Sequence, residues 1–190
     1  MEDADRVAEL CRLLDQGATE AAVQTAEAHL PFTPLEPTGR RYTQTQMLQV
    51  YVGDHFTDRY TGQRLVHPAA LRMLHHMMPE QIPFHRNWKQ DSCHLIFWTL
   101  TPTLDHLIPQ ARGGPDDANN WVTCSMKTNA AKSNWTLEEL NWQLRPVNEN
   151  DEWDGLSRWY LENYESKPEW AENPSLKSWY GPTVGVLKSV

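Results

Sequence analysis

Residues 104–132, with the sequence LDHLIPQARGGPDDANNWVTCSMKTNAAK, constrain the fold of this chain more than any other segment. The pattern predicts a strand over residues 104–108 that ends at Pro109, and a second short strand over residues 121–123. The loop between them contains two consecutive glycines and two consecutive aspartates, which favour a turn. A helix over residues 125–132 follows at once, so the segment predicts two strands and a helix in close succession.

The polar residues of this segment are spaced so that they can face one another. Asp105 and His106 lie on the first predicted strand, and Asn120 precedes the second. Asn129 and Lys132 are three residues apart on the predicted helix, so their side chains share one helix face. We therefore expect both of them to project toward whatever the Asp-His pair faces.

These residue types match the needs of phosphodiester hydrolysis. A carboxylate and an amide oxygen are hard ligands, suited to an Mg²⁺ or Mn²⁺ ion that keeps several waters. Imidazole has a typical pKa of about 6.5, so a neutral histidine can take a proton from water near neutral pH. A lysine adds positive charge near a phosphate. A metal ion, a base and a cation together describe hydrolysis of a phosphodiester.

The segment resembles the HNH, or ββα-metal, nuclease motif, including the HNH domain of the RNA-guided CRISPR nucleases. His106 and Asn120 are 14 positions apart in the sequence, and Asn120 and Asn129 are nine positions apart. Residues 60–139 also resemble standalone bacterial and phage HNH proteins, whereas residues 1–40 and those after about 143 show no resemblance. The matching positions are Asp105-His106, Pro109, Gly113-Gly114, Asn120, Asn129 and Lys132.

The resemblance implies a role for each matched polar residue. Asp105 and Asn129 would bind the metal through side-chain oxygens. His106 would be the general base that deprotonates the attacking water, and Asn120 would hold the loop and orient that histidine. Lys132 would join this catalytic group by contacting a phosphate or by supporting the metal site.

The sequence departs from the family where many members carry Cys-x-x-Cys pairs that hold a structural zinc. Ser125 and Thr128 stand where the second pair would fall, and Asp58 and Thr61 stand near the first. We therefore expect Mg²⁺ or Mn²⁺ as the cofactor and no structural Zn²⁺. The core must then be held by apolar packing, for which seven tryptophans from Trp121 onward are available. Stacking of bases on these rings is the alternative.

Charge is distributed unevenly along a chain whose net charge is −8. Residues 1–37 hold eight acids and two bases, and residues 146–190 hold eight acids and four bases. Residues 38–145 hold eleven bases and nine acids, which leaves room for a polyanion although it is no basic patch. Arg112, in the glycine loop, is a candidate contact to phosphate or DNA, and a solvated loop arginine is the alternative.

The patterns divide the chain into three regions of a mostly helical α+β fold. Residues 1–37 predict an acidic helical hairpin and a linker, with helices over residues 3–16 and from Thr19 to about Leu30, and with the linker from Pro31 to Gly39. Residues 38–145 predict the HNH nuclease domain, whose short antiparallel strands and helix are flanked by the N- and C-terminal helices. Residues 146–190 predict a Trp-rich helical extension packed on that core.

Further elements are expected within the second and third regions. A tight turn at residues 60–63 is expected between two short strands, and residues 94–100 form a short apolar element. Helices are expected over residues 42–56, 69–78 and 153–165, and from Thr136, where a capping-box pattern begins.

The function that this sequence predicts is a metal-dependent endonuclease acting on DNA, expected to be double-stranded. RNA is not excluded, because the motif grips a phosphate rather than a base. The alternative is a regulated or inactive HNH-fold module that acts through a partner protein, bound by the acidic hairpin or the Trp-rich helices. No run of 18 apolar residues occurs, the three cysteines are widely spaced and the N-terminus is acidic. These features predict no membrane partner, no disulfide framework and a cytoplasmic location.

Overall fold

The computed structural model describes residues 2–32, 42–89, 91–148 and 150–189, which belong to two compact units. The first unit contains helix α1 (Asp3–Asp15) and helix α2 (Thr19–His29), so both predicted helices form. Gly17 adopts a φ of +72° in the turn between them. Among the described residues of this unit, Ala22 alone is buried. The predicted linker from Pro31 to Gly39 lies almost wholly outside the described residues.

The second unit combines a two-stranded sheet with several helices. Its described helices are α3 (Gln44–Gly53), α4 (Pro68–Met77), α5 (Ile96–Leu100), α6 (Met126–Lys132), α7 (Ser157–Ser166) and α8 (Pro174–Leu187), and its strands are β1 (Pro102–His106) and β2 (Trp121–Ser125). Three 3₁₀ turns cover Gln110–Arg112, Ala118–Asn120 and Pro168–Glu172. The described part of the protein is therefore α+β, and about 51% of it is helical when the 3₁₀ turns are included.

Strands β1 and β2 pair in antiparallel register, from Pro102 opposite Ser125 to His106 opposite Trp121. Helix α6 begins directly after β2, because the Ser125 hydroxyl accepts a hydrogen bond from the Thr128 amide and caps the first turn. Two strands and a helix thus follow one another in the order that the sequence predicts.

Strand β1 begins and ends two residues earlier than the expected range of 104–108. The reason is that the backbone leaves the sheet after His106. The amide of Leu107 donates to the carbonyl of Asn120, and the amide of Ile108 donates to the Asn120 side chain. The bond to the side chain takes the place of a further backbone pairing, so the strand does not continue to Ile108.

Helices α3, α4, α7 and α8 form the main core of the second unit. Helix α3 starts with a capping box between Thr43 and Gln46, and α4 starts with His67 as its N-cap followed by Pro68. Leu104 of β1 and Val186 of α8 belong to one buried cluster, so the last helix shares a core with the segment around β1. The largest side chains buried in this core are Leu48, Tyr51, Phe56, Leu65, Leu71, Met73, Phe97, Tyr160 and Leu176.

Two predictions for residues 42–63 were wrong in extent. Helix α3 ends at Gly53 rather than at Phe56, because His55 and Phe56 adopt positive φ values of 49° and 46°. The two strands expected around residues 60–63 are reduced to a single bridge between Thr57 and Arg64 in this part of the chain.

The helix expected from Thr136 does not form. A capping box is present between Thr136 and Glu139, but the chain turns away at Asn141, where φ is +52°. Helix α7 begins at Ser157, later than expected, because the carboxylate of Asp154 accepts hydrogen bonds from the next amides of the chain and forms a turn before the helix. No helix in the described ranges is both long and apolar enough to cross a membrane.

Candidate active site

Asp105 is buried near the end of β1, with 7% of its surface exposed. Its Oδ2 atom accepts a 2.7 Å hydrogen bond from the Tyr60 hydroxyl and lies 3.1 Å from the ammonium Nζ of Lys132. No described residue forms a hydrogen bond with its Oδ1 atom. One carboxylate oxygen is therefore fixed by the protein, and the other is left for a ligand.

Tyr60 serves as a neutral hydrogen-bond donor to this carboxylate. Burial raises the pKa of the Tyr60 hydroxyl, and the negative charge of Asp105 and the hydrogen bond to it raise that pKa further. The hydroxyl keeps its proton and donates it to Asp105 Oδ2. This contact orients the carboxylate without adding a charge to the site.

His106 ends β1 and is buried, with 4% of its surface exposed. Its Nε2 atom lies 2.8 Å from Oδ1 of Asp116, and the indole Nε1 of Trp121 donates to the same oxygen over 3.0 Å. The indole Nε1 also lies 3.1 Å from Nε2 of His106. Because the carboxylate can only accept, we assign the imidazole proton to Nε2 and direct both protons at Asp116. The Nδ1 atom is then the nitrogen with a free lone pair.

Asn120 fastens the loop that follows His106. Its Oδ1 accepts from the Ile108 amide at 2.9 Å, and its Nδ2 donates to the carbonyls of Ile108 and Pro115 at 2.9 and 2.8 Å. Gly114 lies against this clamp, since a Cβ atom at that position would come within 1.9 Å of the Ile108 carbonyl oxygen. The two ends of the loop are thus drawn together around one buried amide.

Helix α6 packs against β1 through the two residues predicted to share a face. Nδ2 of Asn129 donates to the Thr103 hydroxyl at 3.0 Å and lies 3.5 Å from the Leu104 carbonyl oxygen. Nζ of Lys132 donates to the His106 carbonyl at 2.7 Å in addition to its ion pair with Asp105. These contacts bring the second asparagine and the Asp-His pair into one region.

The position of Lys132 disagrees with the predicted phosphate contact. The residue has no exposed surface, and its ammonium is directed at a carboxylate and a carbonyl of β1. A phosphate could reach this group only by displacing protein acceptors. Its ion pair is with Asp105, the residue expected to bind the metal.

Arg112 lies in the 3₁₀ turn of the loop and keeps 46% of its side chain exposed. Its Nη2 atom pairs with Oε1 of Glu139 at 3.0 Å, and its guanidinium lies 6.0 Å from the ring centre of Trp135. An exposed ion pair of this kind contributes little to stability and exchanges readily. The arginine is therefore accessible to a phosphate, unlike Lys132.

The four positions at which zinc-binding cysteines were considered come together through hydrogen bonds. Asp58 is fully buried, its Oδ1 accepts from the Thr61 amide at 3.1 Å, and its Oδ2 accepts from the Ser125 amide at 2.9 Å. The hydroxyls of Ser125 and Thr128 are 2.8 Å apart. The expectation of purely apolar packing here was incomplete, because a carboxylate ties the turn at residues 60–63 to β2.

The described residues contain no cluster of three His, Cys, Asp or Glu side chains that could hold a metal ion. The donor set at β1 and α6 is one carboxylate oxygen of Asp105 and one amide oxygen of Asn129. Neither of these oxygens forms a hydrogen bond with a described residue. A site with only two hard oxygen ligands suits Mg²⁺ or Mn²⁺. These ions keep several waters and take further oxygens from a phosphate.

Comparison with protein families places this region. Residues 97–137 are similar to the HNH endonuclease family. The match includes β1, β2, α6 and every residue predicted for the site. No curated protein and no solved structure matches the chain.

Three residues of this region were not predicted as part of the site. Asp116 was treated only as a loop residue, Tyr60 only as part of a turn, and Asp54 was not considered. Asp54 accepts from the Thr123 amide at 2.8 Å and pairs with Arg59. The signal available for Asp116 was its place between the glycine pair and Asn120, whereas Tyr60 is 45 residues from its partner Asp105.

Proposed function

We propose that this protein is a metal-dependent DNA endonuclease that hydrolyses phosphodiester bonds with a histidine general base. The family match at residues 97–137 supports the nuclease class. The observation that carries the proposal is the packing of α6 on β1, in which Asn129 bonds to Thr103 and Lys132 bonds to Asp105. This packing supports a shared site for the two oxygen donors and His106.

Asp105 and Asn129 would hold the Mg²⁺ or Mn²⁺ ion. When bound, the ion stabilises negative charge on the phosphate and on the leaving 3′-oxygen. Tyr60 and Lys132 both act on Oδ2 of Asp105, so they fix the direction in which Oδ1 points. The amide of Asn129 is fixed in the same way, because its nitrogen donates to the Thr103 hydroxyl.

His106 would accept a proton from the attacking water at Nδ1. Asp116 then balances the positive charge that develops on the imidazole, since its carboxylate bonds to Nε2. Asn120 keeps the adjoining loop closed and so maintains the position of the histidine. Because His106 is only 4% exposed, neighbouring groups would have to move before a water could reach Nδ1.

DNA is the proposed substrate, and Arg112 is the proposed first contact to its phosphates. The side chain is exposed, and its partner Glu139 is exposed as well, so a phosphate can replace that carboxylate. Arginine suits this exchange because its planar guanidinium can bond two phosphate oxygens at once.

The test is cleavage of supercoiled plasmid by the full chain with Mg²⁺ or Mn²⁺, compared with excess chelator. The variant His106→Ala should cut at least 100-fold more slowly, within the range for loss of a general base. His29→Ala is the matched control, because this exposed histidine lies on α2 in the other unit.

Cleavage at full rate by His106→Ala would refute the role assigned to the histidine. Cleavage that continues in excess chelator would refute the metal requirement. The same assay with a single-stranded RNA of matched length tests which nucleic acid is the substrate. If the RNA is hydrolysed faster than the DNA, RNA replaces DNA as the proposed substrate.

A second function, contact with a partner protein, is favoured by the first unit. Its helices expose large apolar side chains that its own small core does not use, namely Val7, Leu14 and Val23. Deletion of residues 1–37 tests this role. A partner-binding hairpin predicts unchanged plasmid cutting and loss of any protein that co-purifies with the full chain. A rise in cutting would instead show that the acidic hairpin restrains the nuclease.

A further inference from the structure

A pocket of about 320 Å³ opens beside the first half of β1. Its volume is at the lower end of the range for sites that hold small organic ligands. Four of the fourteen residues that line it are aromatic, and the lining also carries hydroxyl groups and one cation. The residues important here are Tyr42, Arg72, Trp88, Thr103, Ser178 and Trp179.

Arg72 is the one positive charge among the residues that line this pocket. Its guanidinium lies 3.4 Å from the ring centre of Phe84 and 5.9 Å from that of Trp88. No described residue forms a hydrogen bond or an ion pair with it. A partly buried arginine that is held by aromatic faces and faces no carboxylate is suited to bind an anion.

The pocket adjoins the candidate active site through Thr103. The backbone of β1 runs from this pocket residue to Asp105 two positions later. The Thr103 hydroxyl accepts the hydrogen bond from Nδ2 of Asn129, one of the two proposed metal-binding residues. The pocket and the candidate active site therefore share Thr103.

We propose that this pocket holds one nucleotide of the strand being cut, with a phosphate on the Arg72 guanidinium and the base against the aromatic walls. The charge of Arg72 suits the phosphate. The rings of Tyr42, Trp88 and Trp179 provide the apolar surface on which bases stack. This inference rests on the proposed nuclease function and names a part of its substrate site.

The test measures how tightly the full chain binds a fluorescein-labelled DNA duplex of 16 base pairs in EDTA. Binding is detected by fluorescence anisotropy at a series of salt concentrations. Arg72→Met keeps the apolar stem and removes the charge. It should weaken binding about tenfold and lower the salt dependence by about one phosphate contact. The control is Arg158→Met, because Arg158 is an exposed arginine outside this pocket. This variant should bind the duplex with an affinity within twofold of that of the wild type.

Two further variants keep the test valid if Arg72→Met is unstable. Arg72→Lys should restore the salt dependence but not the full affinity, because an ammonium cannot bond two oxygens in one plane. Ser178→Glu changes an exposed residue on the pocket wall and should weaken binding by a similar factor through repulsion of the phosphate. Thermal unfolding of each variant shows whether the fold is kept.

Duplex binding that is equal in the wild type, Arg72→Met and Ser178→Glu overturns the inference, even if the wild type cuts plasmid. Deoxyadenosine monophosphate that binds the wild type as tightly as the duplex does would also overturn it, because the pocket would then serve a free nucleotide. If the variants weaken binding while the wild type cuts nothing with any metal, the pocket stands and the proposed nuclease activity fails.

Discussion

Asp58 and Asp105 are two buried carboxylates with opposite patterns of hydrogen bonding. Asp58 accepts from three backbone amides, those of Tyr60, Thr61 and Ser125, so both of its oxygens are occupied. Side chains bond Asp105 through Oδ2, and no described residue forms a hydrogen bond with its Oδ1. The first arrangement fastens segments of chain, and the second presents an oxygen to a ligand.

The difference shows that burial alone does not identify a functional acid. Backbone amides cannot leave a carboxylate without local unfolding, so Asp58 is committed to the fold. Side-chain donors on a single oxygen orient Asp105 and leave it able to bind a cation. Two buried histidines show the same contrast. Both ring nitrogens of His67 are bonded, to the Ala69 amide and to Thr183, whereas His106 is bonded through Nε2.

The largest expected effect is loss of cleavage in Asp105→Asn. The rate should fall about 10³-fold, or about 4 kcal/mol, because a proposed ligand to the metal is lost. The variant should also unfold more easily, by about 3 kcal/mol, since buried Lys132 loses its counter-charge. Plasmid nicking, measured where circular dichroism shows the chain folded, separates the two effects.

The double variant Asp105→Asn with Lys132→Met is the control for Asp105→Asn. It removes the unpaired charge and should recover most of the stability while staying inactive. Recovery of cutting in the double variant would contradict the role of Asp105 as a ligand.

Asp58→Ala should show the reverse behaviour. Three buried amides lose their acceptor, so the free energy of unfolding should fall by about 3 kcal/mol. The molecules that remain folded should cut at nearly the wild-type rate. Urea unfolding tests the loss of stability, and plasmid nicking tests the cutting rate. The control is Asp91→Ala, a change at an exposed residue. A stable but inactive Asp58→Ala protein would reverse the comparison.

His67 should make stability depend on pH. Complete burial lowers the pKa of its imidazole to about 3 in the folded protein, against 6.5 as the reference value. Between these values the unfolded chain binds the extra proton, so stability is lost as the pH falls below 6.5. The loss should approach about 1.4 kcal/mol for each pH unit.

The variant His67→Asn keeps a helix cap and removes this proton site. Urea unfolding of both proteins at pH 7, 6 and 5 gives the comparison, because every other group contributes equally to each. Parallel curves for the two proteins would show that His67 takes up no proton on unfolding.

The smallest expected effect is that of Tyr60→Phe. This change removes one hydrogen bond to Asp105 Oδ2, so the cutting rate should fall about three- to tenfold, which corresponds to about 1 kcal/mol. Tyr164→Phe is the matched control, since this tyrosine is also buried but its hydroxyl has no hydrogen-bond partner in the described ranges. Equal rates in the two variants would mean that Tyr60 does not orient the carboxylate.

The local elements of the site could be predicted because their signals lie within a few residues. The Ser125 cap, the helical spacing of Asn129 and Lys132, and the short strand before them all act over one or two turns. The same holds for α4, which Pro68 begins, and for the α1 and α2 hairpin. These elements are where the sequence and the structure agree best.

Features that depend on distant contacts could not be predicted. The bond from Asp58 to Ser125 spans 67 residues, and no sequence pattern marks such a pair. The burial of Lys132 follows from its acceptors on β1, whereas a lone lysine usually indicates exposure. Helix α8 has no clear local signal, because glycines and Pro182 lie inside it and weaken its helical pattern.

The hydrogen bond between Asp58 and the Ser125 amide has a consequence for the stability of this part of the fold when zinc or oxidant levels change. Where cysteine thiolates would grip zinc, an aspartate bonds directly to backbone amides, so an oxidant or a chelator finds no target there. Zinc starvation or oxidative stress would leave this junction intact. Under the proposed function, the supply of magnesium or manganese would then govern cutting without unfolding the chain.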